Sequence, residues 1–402
     1  MNHLTIMYMR FWPDRHGGVE EHLWRFASRA AVHANVEVLT ENRGDYAPTE
    51  SPMDNLTIHR VKNNMPIIWR WPYVARLRMW MKQLAAHPPK GWIWTIEPTA
   101  TMAAILSGYG NRVIYNPPSC FGTMHKVWEH QPHVDTMKIA GILRWFDQLA
   151  FTRAAKVVVA SRSLGKQYTL CYGSRSNVHV VPRGADRELI AQLPPKPAAR
   201  KKLGLEPNAF VIGFVGRLDP CKDIPHLINA CACPGVMRPH DRVLIVGDGP
   251  DKMRIQGSIR ANGLSDRVIL AGSLHDEALR EAYSAMDVFV LPSVYEGYGM
   301  VILEAMAAGL PVIGRPGDWK TSFTSMPEMI QHHETGLLMH EHDPEDLAQK
   351  LQWMAHRPDR RIAMGKRART SLEERTWEMV VEDYLKLLTS ETQQPQDMHF
   401  AA

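Results

Sequence analysis

Glu296-Gly297-Tyr298-Gly299 runs into Met300-Val301-Ile302-Leu303-Glu304, which sets two carboxylates eight positions apart across a glycine-rich turn. The apolar run that continues through Ala305-Met306-Ala307-Ala308 predicts a helix opening at that turn, with a short strand following at 311–314. A helix start offers N–H groups without intrahelical partners and the positive end of the backbone dipole, which suit a phosphate. A carboxylate accepts two hydroxyls at once, which suits a sugar or a ribose diol. The combination suggests a site for a phosphorylated sugar.

A second group is cationic. Gly216-Arg217-Leu218-Asp219-Pro220-Cys221-Lys222 leaves an apolar strand expected at 210–215. Two fixed cations at a strand's carboxyl end neutralise a diphosphate as it departs. Solvated surface charges are the plainer alternative, and the place directly after a glycine-terminated buried strand argues against it. Val246-Gly247-Asp248-Gly249-Pro250 lacks the third glycine of a dinucleotide fingerprint and follows the wrong strand, which excludes a nicotinamide site and leaves a tight turn near a nucleotide. Gly17-Gly18-Val19-Glu20 follows the first expected strand, as a plain turn or as a place where backbone approaches a ligand.

Paired carboxylates also serve glycoside hydrolysis. Eight residues of helix would span about 12 Å, beyond the roughly 5–9.5 Å that such pairs use. Arg217 and Lys222 have no task in hydrolysis and an obvious one in the departure of a diphosphate, so transfer is the better reading.

The elements that must position these groups alternate. Apolar, β-branched runs at 4–9, 36–40, 56–61, 92–96, 112–115, 157–160 and 178–181 precede a second series at 210–215, 243–247, 268–271, 288–291, 311–313 and 336–339. Helical patterns such as 278–286 and 344–355 separate them, which predicts parallel sheets covered on both faces. Leu193-Pro194-Pro195-Lys196-Pro197 cannot lie inside a sheet. The expectation is an α/β protein of two doubly wound domains, 1–185 and 209–375, joined by a linker at 186–208 and facing a cleft. Ligands in such sheets lie beyond the carboxyl ends of strands. Trp377, Val380, Val381, Tyr384, Leu387 and Leu388 recur at helical spacing, predicting a helix over 376–388; the polar segment 389–402 reads as disordered.

A 402-residue chain with 45% hydrophobic residues has ample material for two cores. Its net charge of +5 suits anionic ligands and is too mild to indicate nucleic acid. The five cysteines are not spaced as metal pairs and read as reduced, core-packed thiols. No apolar run approaches the roughly 18–20 residues of a membrane span. The expected location is cytoplasmic, with attachment to the inner membrane face as an option.

That option rests on 55–95, which holds no Asp or Glu and interleaves Arg76, Arg78 and Lys82 with Trp69, Trp71, Trp80, Trp92 and Trp94. Within 72–86, Tyr73, Leu77, Trp80, Met81 and Leu84 share one helical face. Basic residues beside tryptophans on an amphipathic helix suit an anionic membrane interface; the alternative is an ordinary helix whose stripe packs on its own sheet.

Taken in order, Gly17-Gly18-Val19-Glu20, Gly216-Arg217-Leu218 with Lys222, Gly247-Asp248-Gly249-Pro250, Pro292-Ser293 and the Glu296–Glu304 run resemble the retaining glycosyltransferases of family 4, over nearly the whole chain. The resemblance implies the GT-B architecture, two Rossmann-like domains with the last helix crossing back to the first. It implies transfer of a sugar from a nucleotide-diphosphate donor to a hydroxyl acceptor, a lipid-linked or surface-glycan intermediate, or alternatively a soluble small molecule. Arg217 and Lys222 would hold the diphosphate, Glu304 the ribose and Glu296 the transferred sugar. Gly299, Met300 and Val301 would offer backbone N–H groups, with Gly17, Gly18 and Asp276 at the donor's edge. No metal or other cofactor is implied. The chain departs from the family at Arg183-Gly184, where Asn-Gly is usual, and at Asp223, where glycine usually follows the lysine. It departs again at Tyr115-Asn116-Pro117-Pro118, where the family often has a histidine. Glu97, Asn116 and His125 are the candidate substitutes on the acceptor side, and 117–137 is expected to be a specificity loop.

Overall fold

The computed structural model describes residues 3–13, 18–42, 44–62, 72–129, 137–185, 193–340 and 343–389. Two compact units emerge: residues 1–184 with 377–402, and residues 185–376.

The first unit holds an eight-stranded sheet. Its strands are β1 (His3–Met7), β2 (Asn35–Asn42), β3 (Thr49–Met53), β4 (Leu56–Lys62), β5 (Trp92–Thr95), β6 (Val113–Tyr115), β7 (Lys156–Val159) and β8 (Val178–Val180). The order is β3-β4-β2-β1-β5-β6-β7-β8. All neighbours are parallel except β3, which pairs antiparallel with β4 at the edge. This corrects the expectation of purely parallel sheets. Thr-Glu-Ser-Pro-Met has no apolar alternation, and its proline is tolerated because the strand lies at an edge.

Successive side chains of a strand point to opposite faces, and β5 uses both. Ile93 joins the core with Met7, Trp80, Phe151 and Tyr168. Trp94 turns the other way, edge-on to Phe26 at 4.0 Å between ring centroids and 4.9 Å from Tyr384. Phe26 lies on the helix Gly18–Ala30 and Tyr384 on the helix Trp377–Thr389, so the chain's last described helix completes the first unit's core.

The second unit holds β9 (Val211–Val215), β10 (Arg242–Val246), β11 (Val268–Gly272), β12 (Val288–Leu291), β14 (Val312–Gly314) and β16 (Gly336–Leu338), in the order β11-β10-β9-β12-β14-β16, all parallel. A two-stranded parallel ribbon, β13 (Tyr295–Glu296) with β15 (Phe323–Thr324), stands apart from it.

Within the segment 186–208, the helix Lys196–Lys202 belongs to the second unit, with Arg200 paired to Asp287 at 2.6 Å, so the sequence-based linker is partly structure. Segment 117–137 is likewise not a plain loop, because Phe121–Glu129 is a helix that packs against the helices Met137–Arg153 and Arg162–Tyr172. Gly17, Trp69, Trp71 and the tail 390–402 lie outside the described residues. The five cysteines are free thiols. Among the described residues no helix is long and apolar enough to cross a membrane, and no cluster of His, Cys, Asp and Glu suits a metal ion.

Candidate functional site

A doubly wound sheet opens a crevice where successive connections leave in opposite directions, beyond the carboxyl ends of the two flanking strands. In the second unit that point falls between β9 and β12. The chain leaves β9 through a 3-10 turn, Pro220–Lys222, and leaves β12 through Pro292-Ser293-Val294 into β13. The Lys222 ammonium donates to Glu296 Oε2 at 2.6 Å, with 19% and 13% of the two side chains exposed. Burial opposes the charge on Lys222, but Glu296, Cys221 and Asp219 together outweigh it and lift its pKa above the ordinary lysine value. The pair is thus partly buried and placed at the switch point.

Gly299 opens the helix Met300–Ala307 with φ 90° and ψ 65°, a left-handed conformation that glycine adopts without steric cost. A Cβ there would lie 3.3 Å from Glu296 Cγ and 2.9 Å from Ile302 Cδ1. Glycine therefore allows both the turn and the placing of Glu296. Met300 and Val301, half-buried, form the first helical turn, and Glu304 stands one turn further on. The Glu304 carboxylate accepts a hydrogen bond of 2.6 Å from Tyr283, a buried phenol on the helix Asp276–Ala285. Burial and the nearby Glu304 charge hold the phenol's pKa well above its usual range, so it remains a donor. Sequence reading missed Tyr283; its only mark there is membership of an amphipathic helix.

Arg217 takes a different posture. It is 70% exposed and folded onto Asp219, its Nε and Nη2 donating to one carboxylate oxygen at 3.0 and 2.6 Å. Glycines 247 and 249 account for the shape of this corner. A Cβ on Gly247 would fall 1.9 Å from the Gly216 carbonyl oxygen, and one on Gly249 2.3 Å from that of Leu218. The two turns lie backbone to backbone, with Leu218 N–H donating to the Asp248 carbonyl at 3.0 Å. Asp276 is exposed at the start of its helix with a left-handed φ of 48°.

The first unit repeats the topology with other groups. Its switch point lies between β1 and β5, followed by Tyr8 and Glu97. Glu97 precedes the helix Pro98–Ala104 and accepts a 2.6 Å hydrogen bond from the indole N–H of Trp80. Burial raises its pKa against the opposing pull of Arg76 and Trp80. The Tyr8 phenol is raised by burial and by the charges of Glu20 and Glu97, with Arg10 and Arg183 acting the other way. Tyr8, absent from the sequence-based candidates, thus shares an electrostatic neighbourhood with Glu20, Glu97 and Arg183. Gly18 begins its helix in this unit. Asn116 is buried with its amide donating to the Val158 carbonyl at 2.5 Å, which ties the segment after β6 to β7. His125 sits half-buried on the helix Phe121–Glu129.

Trp80 requires a correction. It is fully buried, packed in the core and bonded to Glu97, so it is not a membrane anchor. Tyr73 and Leu84 of the same stripe are buried too, while Arg78 and Lys82 remain exposed and Arg76 lies over the Tyr73 ring at 5.9 Å. Apart from the exposed Met81, the stripe packs on its own unit.

Two Rossmann-like α/β units, one carrying a lysine–glutamate pair at its switch point ahead of a glycine-opened helix, fit the GT-B glycosyltransferase class. The family comparisons agree: residues 16–189 match the Glycosyltransferase Family 4 model and 195–371 the Glycosyl transferases group 1 model. The chain belongs to this glycosyltransferase family. It is 31% identical over 250 residues to D-inositol 3-phosphate glycosyltransferase of Rhodococcus jostii (strain RHA1), covering 60% of this chain and 53% of that protein. The chain thus spans about half the length of that curated relative. Sucrose-phosphate synthase from Thermosynechococcus elongatus superposes with a TM-score of 0.81 at 22% identity, over 96% of this chain and 98% of that one. Anabaena Alr3699/HepE, solved with UDP and glucose, gives 0.74 at 20% identity over 97% and 100%. At these identities the structures speak for the fold alone.

Proposed function

We propose that the protein is a retaining glycosyltransferase that moves a sugar from a nucleotide-diphosphate donor to a hydroxyl of a glycan or glycolipid acceptor on the cytoplasmic side. The observation that carries this reading is the Lys222–Glu296 contact of 2.6 Å at the switch point, next to the helix start at Gly299. Lys222 and Arg217 neutralise the leaving diphosphate with the helix N-terminus, Glu304 takes the ribose diol and Glu296 the sugar. The acceptor oxygen bonds to the anomeric carbon on the face that the diphosphate leaves, the carbon–phosphate-oxygen bond breaks, and the acceptor proton passes to the departing phosphate. That route needs neither a dedicated base nor a resident metal. Activity is therefore expected to survive EDTA.

Thermal-shift measurement against UDP-, GDP-, ADP- and dTDP-sugars tests the donor reading. A donor at about a hundred times its Kd adds about 2.7 kcal/mol to stability, a rise of several degrees. If no nucleotide sugar raises the melting temperature, the donor site has been misassigned.

Peripheral membrane attachment draws support from exposed Arg78 and Lys82, whereas the burial of Trp80 favours the alternative of a soluble, small-molecule acceptor. Sedimentation with anionic liposomes decides between them. Binding at low salt and release at high salt supports attachment; equal recovery in the supernatant at both salts supports the soluble reading.

A further inference from the structure

Asp223 follows Lys222 directly and has φ 48° and ψ 44°, a left-handed backbone that favours glycine. It stands as the cap residue of the helix Ile224–Ala232, yet its carboxylate makes no capping bond. An aspartate in that place ordinarily caps, so its side chain is committed elsewhere. It accepts a hydrogen bond of 2.9 Å from Nη2 of Arg315, a guanidinium that is 0% exposed.

Arg315 follows β14 and reaches three places. Its Nη2 holds Asp223, its Nε donates to the Pro292 carbonyl at 3.0 Å, and its own carbonyl accepts from Thr324 Oγ1 at 2.6 Å. Pro292 follows β12, and Thr324 is the register partner of Glu296 in the β13–β15 ribbon. One buried residue therefore links the turn that follows β9 with the carboxyl ends of β12 and β14. It is tied to Lys222 through the adjoining Asp223, and to Glu296 through Thr324.

A buried guanidinium needs a counter-charge, since an uncompensated charge away from water is strongly unfavourable. Asp223 supplies it at the cost of an unfavourable backbone conformation, a combination typical of sites where position matters. We infer that Asp223 and Arg315 are a positioning pair, which fixes the Lys222 ammonium and the Glu296 carboxylate relative to one another for contact with the donor's diphosphate and sugar. This inference rests on the donor-site reading given above. It also accounts for the aspartate found where the resemblance leads one to expect glycine: Arg315 requires it.

The test uses the full chain and the variants D223N, R315M and D223G/R315M. Each is titrated calorimetrically with UDP, GDP, ADP and dTDP and, as phosphate-free controls, the matching nucleosides. Chemical denaturation gives stability in parallel. D223N, which tolerates the left-handed backbone, is expected to lose about tenfold or more in affinity for the nucleoside diphosphate that the wild type binds. Affinity for the nucleoside should stay unchanged. D223G/R315M removes both charges and the backbone conflict, so it should regain most of the stability lost by R315M without regaining diphosphate affinity. If D223N binds the diphosphate as the wild type does, the positioning role is overturned. The same follows if affinity returns in step with stability in the double variant, because the pair is then structural only. A wild type that binds none of the four diphosphates overturns the donor reading, and the positioning claim with it.

Discussion

The two switch points of this molecule have the same topology and opposite chemistry. At the second unit's, between β9 and β12, an ammonium and a carboxylate face each other at 2.6 Å with a helix start beside them. At the first unit's, between β1 and β5, a phenol and a carboxyl follow the strands, and the carboxyl is bonded to an indole. One end is built of full charges that a diphosphate can displace or share. The other sets a phenol and an indole-bonded carboxyl among Glu20 and Arg183, a mixed polar lining that suits hydroxyls. The same sheet connection thus supplies two crevices, and the side chains at the strand ends decide what each can hold.

The largest effect that would sharpen this contrast is on stability, in the first unit. Asp147 is fully buried and accepts from Tyr115 and Tyr168 at 2.6 Å, from Tyr172 at 2.9 Å and from the Phe121 N–H at 2.9 Å. D147A strands these donors in the core and should cost about 3–5 kcal/mol, read from denaturant unfolding. Burial pushes the Asp147 carboxyl up to about 6 in spite of those bonds. The folded state therefore holds this proton more tightly than the unfolded chain, so the contribution is most favourable below about pH 4 and is lost as pH rises through 6. D147N does not titrate. The stability of the wild type relative to D147N should accordingly fall by about 2 kcal/mol between pH 4 and 7; a gap independent of pH would show that Asp147 carries no such shift.

Next comes catalysis in the second unit. K222A removes the cation facing Glu296 and should lower kcat by about 10²–10³-fold, with a stability loss smaller than that of D147A, since Glu296 is left partly buried without its partner. A loss confined to stability would erase the difference between the two ends. The smallest effect is expected for Y283F, which removes one hydrogen bond from Glu304. It should raise the donor KM about tenfold and leave kcat nearly unchanged. A kcat loss without a KM change would move Glu304 from ribose binding to the reacting atoms.

Much of the fold was legible because buried parallel strands are dense, β-branched apolar runs. Each of the thirteen runs read from sequence overlaps a strand. The strands without such a run are β3, whose Thr-Glu-Ser-Pro-Met is polar and edge-bound, and the two-residue strands of the β13–β15 ribbon. The second unit's candidate site drew attention for a related reason: charges and glycines follow directly on buried strands, although Gly247 and Gly249 also serve the close packing of two turns. Tyr283, Arg315 and Tyr8 were not, since each acts through a partner distant in sequence and neither residue of such a contact is unusual alone. Trp80 misled because an amphipathic stripe gives the same pattern whether it faces a membrane or its own sheet.

The helix Trp377–Thr389 sets Trp377 against His22 at 5.0 Å and Tyr384 against Phe26 at 5.0 Å between ring centroids, and Lys156 donates to the Leu387 carbonyl at 2.6 Å. A ribosome making this chain delivers the first unit's sheet early and its closing helix after the whole second unit. Until then Trp94 and Phe26 lack their cover, so the early unit waits, incomplete, for the later one to be translated. A stop codon just before Trp377 would leave the second unit's sequence whole, and the damage would fall on the half synthesised first.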